Sequence, residues 1–374
     1  MNRPKISVLM YTARADHPFE DRSWHCFDPV TRTLTTQTFD GDFELVVVDM
    51  HWERRQDWFK EHPQPFPVKH VPSSPNLWQD RKRTGLCAQI NRGFVWADGE
   101  LIWMCGENNM LSPRLLETAW AIHELGMLPT AWYGLCQLEA GDPHPDCPTE
   151  FDILGFTRRH VKEMDHRQRP FLADPGLQLS PCHHSNYFGY SGVTRDMADN
   201  VNGFDELMDG QWGLFDCDFG SRLDIAGCRM GLHRDLFVME PPIHMTHSAY
   251  EGISHHEPFK CHYAILLHNR ATARRVNTAL PPDYPDRVKR LACFDQCGLK
   301  EKCAAGAPAN LRLIEMESRP QQIGESAYYP FCEGQNRQIA YDLFADPPVR
   351  ELRDEREKRH AGLPPYDRAT FAGI

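Results

Sequence analysis

Short apolar runs alternate with helical patterns along the first part of the chain. The runs KISVLMY (residues 5–11), FELVVVD (43–49) and ELIWMC (100–105) are short and apolar, which predicts buried parallel strands. Between the last two, TGLCAQINRGFVWAD (84–98) repeats apolar residues at helical spacing and predicts a helix. Because strands and helices alternate, we expect an α/β fold with a mostly parallel sheet.

Two further helices are indicated by their capping residues. Ser112 precedes Pro113 and a segment with apolar residues at helical spacing, so we expect Ser112 to cap a helix that begins at Pro113. In DFGSRLDIAG, Asp218 stands at the expected cap and Gly227 lies just past the expected end. DLFVME (235–240) predicts another strand.

The remaining pattern suggests two domains. Residues 140–182 are rich in Pro, Asp, His and Arg, which favours a long loop or insertion beside a site. Past residue 250 the periodicity weakens, so we divide the chain into an α/β domain (1–250) and a mainly helical C-terminal extension (251–374). In that extension, ELRDEREKRH (351–360) is typical of a solvated charged helix.

Composition narrows the class of protein. The chain has 374 residues, 41% of them hydrophobic and 25% charged, which fits one large globular domain or one domain plus an appendage. The net charge of −11 argues against a dominant nucleic-acid or anionic-membrane surface. No apolar run approaches the roughly 20 residues needed to span a bilayer, and the first run is too short for a secretory signal. The 13 cysteines therefore favour a reducing compartment, and we expect a cytoplasmic protein.

Three blocks of sequence, in order, resemble family 2 glycosyltransferases with the GT-A fold. They are ISVLMYTAR with ELVVVDM, INRGFVWADGELIWMCGENNMLSP (90–113), and NGFDELMDGQWGLFDCDFGSRLDIAG (202–227). The resemblance implies a GT-A-type, Rossmann-like nucleotide-sugar-binding domain. It also implies inverting transfer of a sugar from a nucleotide-diphosphate donor to an acceptor hydroxyl, with a divalent cation, Mn²⁺ or Mg²⁺, on the diphosphate.

The third block supplies the candidate catalytic group. Sugar transfer needs a base near the acceptor hydroxyl, which must lose its proton. By the resemblance, Asp216 is the predicted general base, and Asp218, Trp212 and Gly213 are predicted to bind the acceptor. Alternatives are a carboxylate placed by the helix dipole, for either aspartate, and core packing for Trp212.

The second block departs from the family at the metal site. In the aligned register the family's Asp-x-Asp falls on Gly106-Glu107-Asn108, so both aspartates are absent. Glu107 and Asn108 still offer oxygen ligands to a hard cation. The family often adds a histidine, for which His244 and His247 are candidates, so we predict that the cation is bound by these four side chains.

Donor binding is predicted at the ends of the strands. The alternative to a metal is neutralisation of the diphosphate by basic side chains, for which Arg14, Lys82 and Arg83 are candidates. A carboxylate at a strand end can accept from a base N–H or a ribose hydroxyl. The predicted donor-binding residues are Thr12, Arg14, Asp49, Arg83, Asn91, Glu107 and Asn108.

A cysteine cluster in the C-terminal extension is a separate feature. CFDQCGLKEKC contains Cys293, Cys297 and Cys303, with Cys332 as a distant fourth. Thiolates at such a cluster can bind a structural Zn²⁺ that would stabilise the extension. The spacing matches no common zinc pattern well, so the sequence favours free thiols and leaves zinc as the alternative.

The predicted function is therefore that of a glycosyltransferase with an unidentified acceptor. The acceptor could be a soluble saccharide, a glycoconjugate or a hydroxymethylated base in DNA, although the acidic balance weighs against DNA. No hydrophobic or basic amphipathic anchor points to a membrane acceptor. One alternative is a non-catalytic module that binds a nucleotide sugar or glycan, which the GENN turn favours. The other is a nucleotidyltransferase, disfavoured because no Gly-rich, Lys-bearing loop follows the first strand.

Overall fold

The structure is a computed structural model of the chain. It describes residues 3–13, 25–73, 85–107, 109–136, 161–164, 167, 169–209 and 214–240. The predicted C-terminal extension, with its cysteine cluster and charged segment, lies outside these residues.

The described strands and helices alternate in the first half of the chain and mix thereafter. The strands are β1 (Ile6–Thr12), β2 (Phe43–Asp49), β3 (Val68–Pro72), β4 (Leu101–Gly106), β5 (Met110–Leu111), β6 (Leu128–Cys136), β7 (Val161–Met164), β8 (Leu179–Cys182), β9 (Gly192–Thr194) and β10 (Met230–Glu240). The helices are α1 (Asp28–Leu34), α2 (Trp52–Arg55), α3 (Trp58–Glu61), α4 (Leu86–Trp96), α5 (Leu115–Glu124), α6 (Arg169–Ala173), α7 (Arg195–Asn200) and α8 (Phe215–Ile225).

The central sheet has the strand order β3-β2-β1-β4-β9. Strands β1 to β4 are parallel, and β9 joins the edge of β4 antiparallel. The predicted α/β class with a mostly parallel sheet is therefore confirmed. The chain leaves β1 toward β2 on one side and returns to β4 on the other, so the strand order reverses at β1. In open α/β sheets a crevice for ligands forms at such a reversal, outside the carboxyl ends of the strands.

Two apolar cores cover the two faces of this sheet. Alternate residues of β1 point to opposite faces, as the period of a strand requires. Leu9 and Tyr11 belong to the core that α4 and α8 complete. Val8 and Met10 belong to the other core, which α1 and α5 complete. Because both faces are covered, the central strands are continuous apolar runs without alternation.

A second sheet packs beside the first. Its order is β5-β10-β6-β7, and β8 pairs with the other part of β10. Strand β10 runs parallel to β6 and antiparallel to β5 and β8. The predicted strand at 235–240 is therefore the second half of a longer strand.

Three predictions about elements were wrong in detail. Ser112 does not cap a helix: α5 begins at Leu115, and the Ser112 hydroxyl donates to the carbonyl of Asp235 at 2.7 Å. Asp218 does not cap α8, because that helix begins at Phe215. The region 140–182 is not all loop, since β7, α6 and β8 lie in its described part. The predicted strands at 5–11, 43–49 and 100–105 and the helix at 84–98 are confirmed.

Within the described residues, we find no helix with the length and apolarity that crossing a bilayer would require.

Candidate functional site

The turn after β4 lies at the reversal of the strand order. Tyr11 of β1 pairs with Gly106 of β4, so the two strand ends lie side by side. The turn is closed by Asn109, whose side-chain Oδ1 accepts from the Gly106 N–H at 2.6 Å. The Asn109 N–H donates back to the Gly106 carbonyl at 3.3 Å. Glu107, the residue after Gly106, is 6% exposed. This predicted metal ligand is therefore mostly buried in the turn.

Asp49, a predicted donor-binding residue, ends β2 and lies inside a polar network. Its carboxylate accepts from Arg55 Nη2 at 2.7 Å, from His70 Nε2 at 3.0 Å and from the His51 N–H at 2.8 Å. Burial alone would raise the pKa of Asp49, but the His70 hydrogen bond and the Arg55 charge outweigh it, so the pKa lies below its usual value. The structure therefore places this carboxylate with protein donors on both oxygens.

Asn91, another predicted donor-binding residue, connects α4 to the third sequence block. Its side chain is fully buried. Nδ2 donates to the Phe204 carbonyl at 2.9 Å and to Glu206 Oε1 at 3.0 Å, while Oδ1 accepts from the Phe204 N–H at 2.7 Å. Both ends of the amide are thus engaged in holding the 204–206 segment against the helix.

Asp209 completes the same attachment and was missed by the sequence analysis. Its two carboxylate oxygens accept from the backbone N–H groups of Cys87 at 2.7 Å and Ala88 at 3.1 Å. These N–H groups lie in the first turn of α4 and have no acceptor within the helix. The cap residue, Gly85, has no side chain that could accept from them. A carboxylate from a distant loop therefore caps α4, and no local pattern reveals it.

Asp218, a predicted acceptor-binding residue, forms a buried ion pair within α8. Its Oδ2 accepts from Arg222 Nε at 2.9 Å, and both side chains are fully buried. Arg222 Nη1 also donates to the carbonyls of Val201 at 2.9 Å and Gly203 at 2.7 Å. Between these lies a left-handed turn, with φ of 54° at Asn202 and 66° at Gly203. The pair thus holds the turn that begins the third block.

Gly220 lets α8 pack closely on the preceding segment. A Cβ at this position would lie 2.5 Å from both the His184 carbonyl oxygen and the Tyr187 Cβ. Only glycine fits so close an approach. Together with the Asp218–Arg222 pair, this contact gives structural reasons for much of the D-x-G-x-R pattern.

Asp216 differs from the other polar residues of the block. It lies in the first turn of α8 with its side chain partly exposed. Oδ1 accepts from the Cys217 N–H at 2.9 Å, and within the described residues no cation lies within ion-pair distance. Burial raises the pKa of Asp216 to about 6, although the amides of Cys217 and Gly189 and the charge of Arg167 oppose the shift. Its carboxylate is therefore mostly ionised at pH 7 yet able to take up a proton.

Backbone strain accompanies this carboxylate. Leu214, the residue before α8, has φ of 65° and ψ of −9°, a left-handed conformation that a branched side chain rarely adopts. Such outliers persist where the surrounding structure enforces them, and they concentrate at functional sites.

Gly189 joins Asp216 to the strand ends. A Cβ at Gly189 would lie 2.5 Å from the Tyr11 hydroxyl, at the end of β1. The Gly189 amide also hydrogen-bonds the Asp216 carboxylate. Asp216 is therefore separated by one residue from the strand that pairs with Gly106, and both lie at the carboxyl edge of the central sheet.

Several predicted site residues lie outside the described parts of the chain. They are Arg14, Lys82, Arg83, Asn108, Trp212, Gly213, His244, His247, Cys293, Cys297, Cys303 and Cys332. Of the four predicted ligands of the cation, only Glu107 is described. Among the residues that the structure does describe, no group of three or more His, Cys, Asp or Glu side chains could hold a metal ion.

Comparison with known proteins gives structural likeness alone. No protein-family model and no curated protein matches the chain. Crystal structures of S. aureus TarS 1-349 are similar: in complex with UDP-GlcNAc (TM-score 0.49, 13% identity) and with UDP (TM-score 0.46, 11% identity), each likeness covering 96% of this chain and 92% of that one. The longer S. aureus TarS structure has a TM-score of 0.44 at 13% identity, covering 96% of this chain and 55% of that one.

Proposed function

We propose that the protein is a glycosyltransferase that moves a sugar from a nucleotide-diphosphate donor to an acceptor hydroxyl, with Asp216 as the general base. One observation carries the proposal. In the third sequence block, Asp218, Arg222 and Gly220 all have structural tasks, whereas Asp216 is partly exposed and has a pKa raised to about 6. A raised pKa in a partly exposed carboxylate that forms no ion pair within the described residues is typical of a catalytic acid or base.

The proposed reaction is an inverting displacement. The acceptor hydroxyl gives its proton to the Asp216 carboxylate while its oxygen forms a bond to the anomeric carbon of the donor sugar. The bond between that carbon and the diphosphate oxygen breaks, and the nucleoside diphosphate leaves with the electron pair. Since the acceptor attacks opposite the leaving group, the anomeric configuration inverts. General-base assistance of this kind contributes about 10² to 10⁴ in rate.

We place the donor over the carboxyl ends of β1 and β4, where the strand order reverses. Thr12 and Glu107 stand at these strand ends, and Asp49 ends β2 beside Thr12. Asn91 holds the 204–206 segment of the third block against α4. The acceptor side is assigned to the start of α8, with Trp212 and Gly213 preceding it in sequence.

The charge that develops on the diphosphate requires a positive counterpart. A divalent cation on Glu107, Asn108, His244 and His247 would supply Lewis-acid stabilisation of the leaving group. The described residues contain only one of these ligands, Glu107. The alternative is a cluster of Arg14, Lys82 and Arg83.

The central experiment measures sugar transfer and donor binding separately. Purified protein is screened with a panel of nucleotide sugars and hydroxyl acceptors, and release of the nucleoside diphosphate is followed. Asp216→Asn should lower turnover by about 10³-fold while calorimetry shows donor binding near the wild-type value. Asp224→Asn is the matched control, because Asp224 is an exposed carboxylate on the same helix. Equal turnover in Asp216→Asn and wild type would remove Asp216 from the base role.

A chelator titration tests the metal. If a cation neutralises the diphosphate, EDTA should stop transfer and added Mn²⁺ or Mg²⁺ should restore it. Full activity in EDTA would instead favour the basic cluster, and Arg83→Ala should then raise KM.

A non-catalytic binding module is the second candidate, and one observation favours it. Hydrogen bonds of Asn109 close the turn at 106–109. In the family that the sequence resembles, this turn carries the aspartates that bind the metal. If the protein is such a module, it should bind a nucleotide sugar saturably. It should release no nucleoside diphosphate with any acceptor, whether or not metal is present.

A further inference from the structure

Gln89 on α4 has a buried side chain that the fold does not use. It is fully buried, yet neither Oε1 nor Nε2 has a hydrogen-bond partner. Among the described residues, Gln89 is the one side chain that leaves both of its polar ends without a partner. Leaving a buried polar group unpaired destabilises a fold, so such a group in a native protein calls for an explanation.

The helix geometry places Gln89 beneath the strand ends. Gly93 packs against the Leu9 side chain of β1, and Gly99, beyond the end of α4, packs against Ser7. Helix α4 therefore runs antiparallel to β1. Gln89 is four residues before Gly93, about 6 Å nearer the carboxyl end of the strand. This is the level of Tyr11, next to the crevice where the donor is proposed to bind.

A second unengaged amide group lies on the other side of the reversal. Asn109 is fully buried and uses its Oδ1 to close the turn after β4, while its Nδ2 has no hydrogen-bond partner. The two sites differ in chemistry. Asn109 offers only a donor, which suits an oxygen of a phosphate or sugar. Gln89 offers a donor and an acceptor side by side, which suits the edge of a nucleobase.

We propose that Gln89 hydrogen-bonds the base of the nucleotide donor and so determines which nucleotide the protein accepts. The inference rests on the proposed function, because it needs a nucleotide ligand at this edge of the sheet. The carboxamide donates through Nε2 and accepts through Oε1, and the base supplies the complementary acceptor and donor.

Two properties are expected to change in opposite directions in Gln89→Met. Methionine has nearly the same shape and no polar end, so removing the unpaired group should stabilise the fold and raise the melting temperature by about 2 °C. Loss of the base contact should weaken binding of the preferred nucleoside diphosphate by about tenfold. Inorganic pyrophosphate, which has no base, should bind equally to both proteins.

Gln37→Met is the matched control. Gln37 is a partly buried glutamine whose Nε2 donates to the Ser112 carbonyl at 2.8 Å and whose Oε1 accepts from the Leu116 N–H at 3.1 Å. Because its amide serves the fold, its replacement should lower the melting temperature and leave nucleotide affinity unchanged. Calorimetry with UDP, CDP, ADP, GDP and pyrophosphate, together with thermal melts, measures all of these quantities.

Each outcome decides between explanations. A lower melting temperature in Gln89→Met would mean that the amide has a partner in the fold. An unchanged affinity for nucleoside diphosphates would mean that the amide does not touch the base. Either result overturns this inference and leaves the proposed function standing. Equal weakening for pyrophosphate would assign Gln89 to the diphosphate, and weakening seen only with an intact nucleotide sugar would assign it to the sugar. Wild-type protein that binds no nucleoside diphosphate would end the proposed function as well.

A second variant tests the donor half of the carboxamide by itself. Gln89→Glu keeps Oε1 as an acceptor and replaces the Nε2 donor with a second acceptor oxygen. If the inference holds, this variant should change the order of preference among UDP, CDP, ADP and GDP. An unchanged order would contradict base recognition by Gln89.

Discussion

The carboxyl end of β2 and the start of α8 each present an aspartate that sequence analysis assigns to the site, and the two environments differ. Asp49 is 1% exposed and receives hydrogen bonds from Arg55, His70 and a backbone amide, which together lower its pKa. Asp216 is partly exposed and receives hydrogen bonds only from backbone amides, and burial raises its pKa to about 6.

The difference shows that side-chain partners decide what a buried carboxylate can do. A cation beside the carboxylate holds it ionised at every physiological pH, so it cannot exchange a proton there. A carboxylate without a cation, in a partly dehydrated position, titrates near neutrality and can act as a base. Asp218, two residues after Asp216, is paired with Arg222 inside α8 and forms part of the fold.

The largest expected effect follows from breaking the Asp218–Arg222 pair. Asp218→Asn leaves the Arg222 guanidinium buried without its counter-charge, which should lower the free energy of unfolding by about 3–5 kcal/mol. Urea denaturation at pH 7 measures the change. The double variant Asp218→Asn with Arg222→Met should recover part of the loss, because it removes the uncompensated charge. A loss below about 1 kcal/mol in the single variant would mean that the pair is not a structural unit.

A slightly smaller loss is expected at the end of β2. Asp49→Asn removes the charge that compensates buried Arg55, so unfolding should become easier by about 3 kcal/mol at pH 7. The native pKa of Asp49 is depressed, so its contribution to stability is present above the unfolded pKa and is lost as the pH falls through the native value. The difference between wild type and variant should therefore shrink below about pH 4. A constant difference down to pH 2 would contradict the ion-pair interpretation.

Gly220→Ala tests the packing that positions Asp216. The added methyl group meets the His184 carbonyl oxygen and the Tyr187 Cβ, both parts of a segment that cannot simply rotate away. We expect a loss of about 2 kcal/mol in the free energy of unfolding, with a fall in turnover as α8 shifts. Gly227→Ala is a useful comparison, because nothing lies within 4 Å of a Cβ there and only the φ of 87° opposes the substitution. That variant should lose stability without loss of turnover.

The sequence was sufficient for the elements whose signal is local. The buried strands and α4 follow from short apolar runs and helical spacing, and the α/β class follows from their alternation. The contacts that attach these elements could not be predicted. Asn91 and Phe204 are 113 residues apart, and Asp209 caps α4 from more than 120 residues away. Such pairings depend on how the chain folds back, which no local pattern encodes.

The sequence identifies the third block as a candidate site and does not distinguish the surroundings of its two aspartates. Asp216 and Asp218 lie in one motif, but two residues along a helix correspond to a rotation of about 200°, so they face different surroundings. Asp218 stands four residues before Arg222, so a helix that spans both brings them together. The surroundings of Asp216 depend instead on where α8 starts. That start is fixed by the left-handed Leu214, a conformation that a leucine in a sequence gives no reason to expect.

The smallest expected effect is also the one that separates catalysis from structure at Asp216. The native pKa of about 6 lies above the usual value for an aspartate, so between about pH 4 and pH 6 the folded protein binds more protons than the unfolded chain. Stability must then fall as the pH rises through this window. Asp216→Asn carries no charge at any pH, so it should match wild type below pH 4 and exceed it by about 1–2 kcal/mol above pH 6, after allowance for the partial exposure of the side chain.

The pH dependence of transfer should mirror that of stability. A base must be ionised, so kcat/KM of the wild type should rise about tenfold per pH unit up to pH 6 and level off above it. Urea denaturation and rate measurements over pH 4–8 give both curves. If Asp216→Asn is instead less stable than wild type at pH 7, the carboxylate serves as an ordinary helix-terminal group. If Asp216→Asn is more stable than wild type and inactive, ionisation of Asp216 both destabilises the fold and allows the reaction. This is the trade of stability for activity that active-site residues often show.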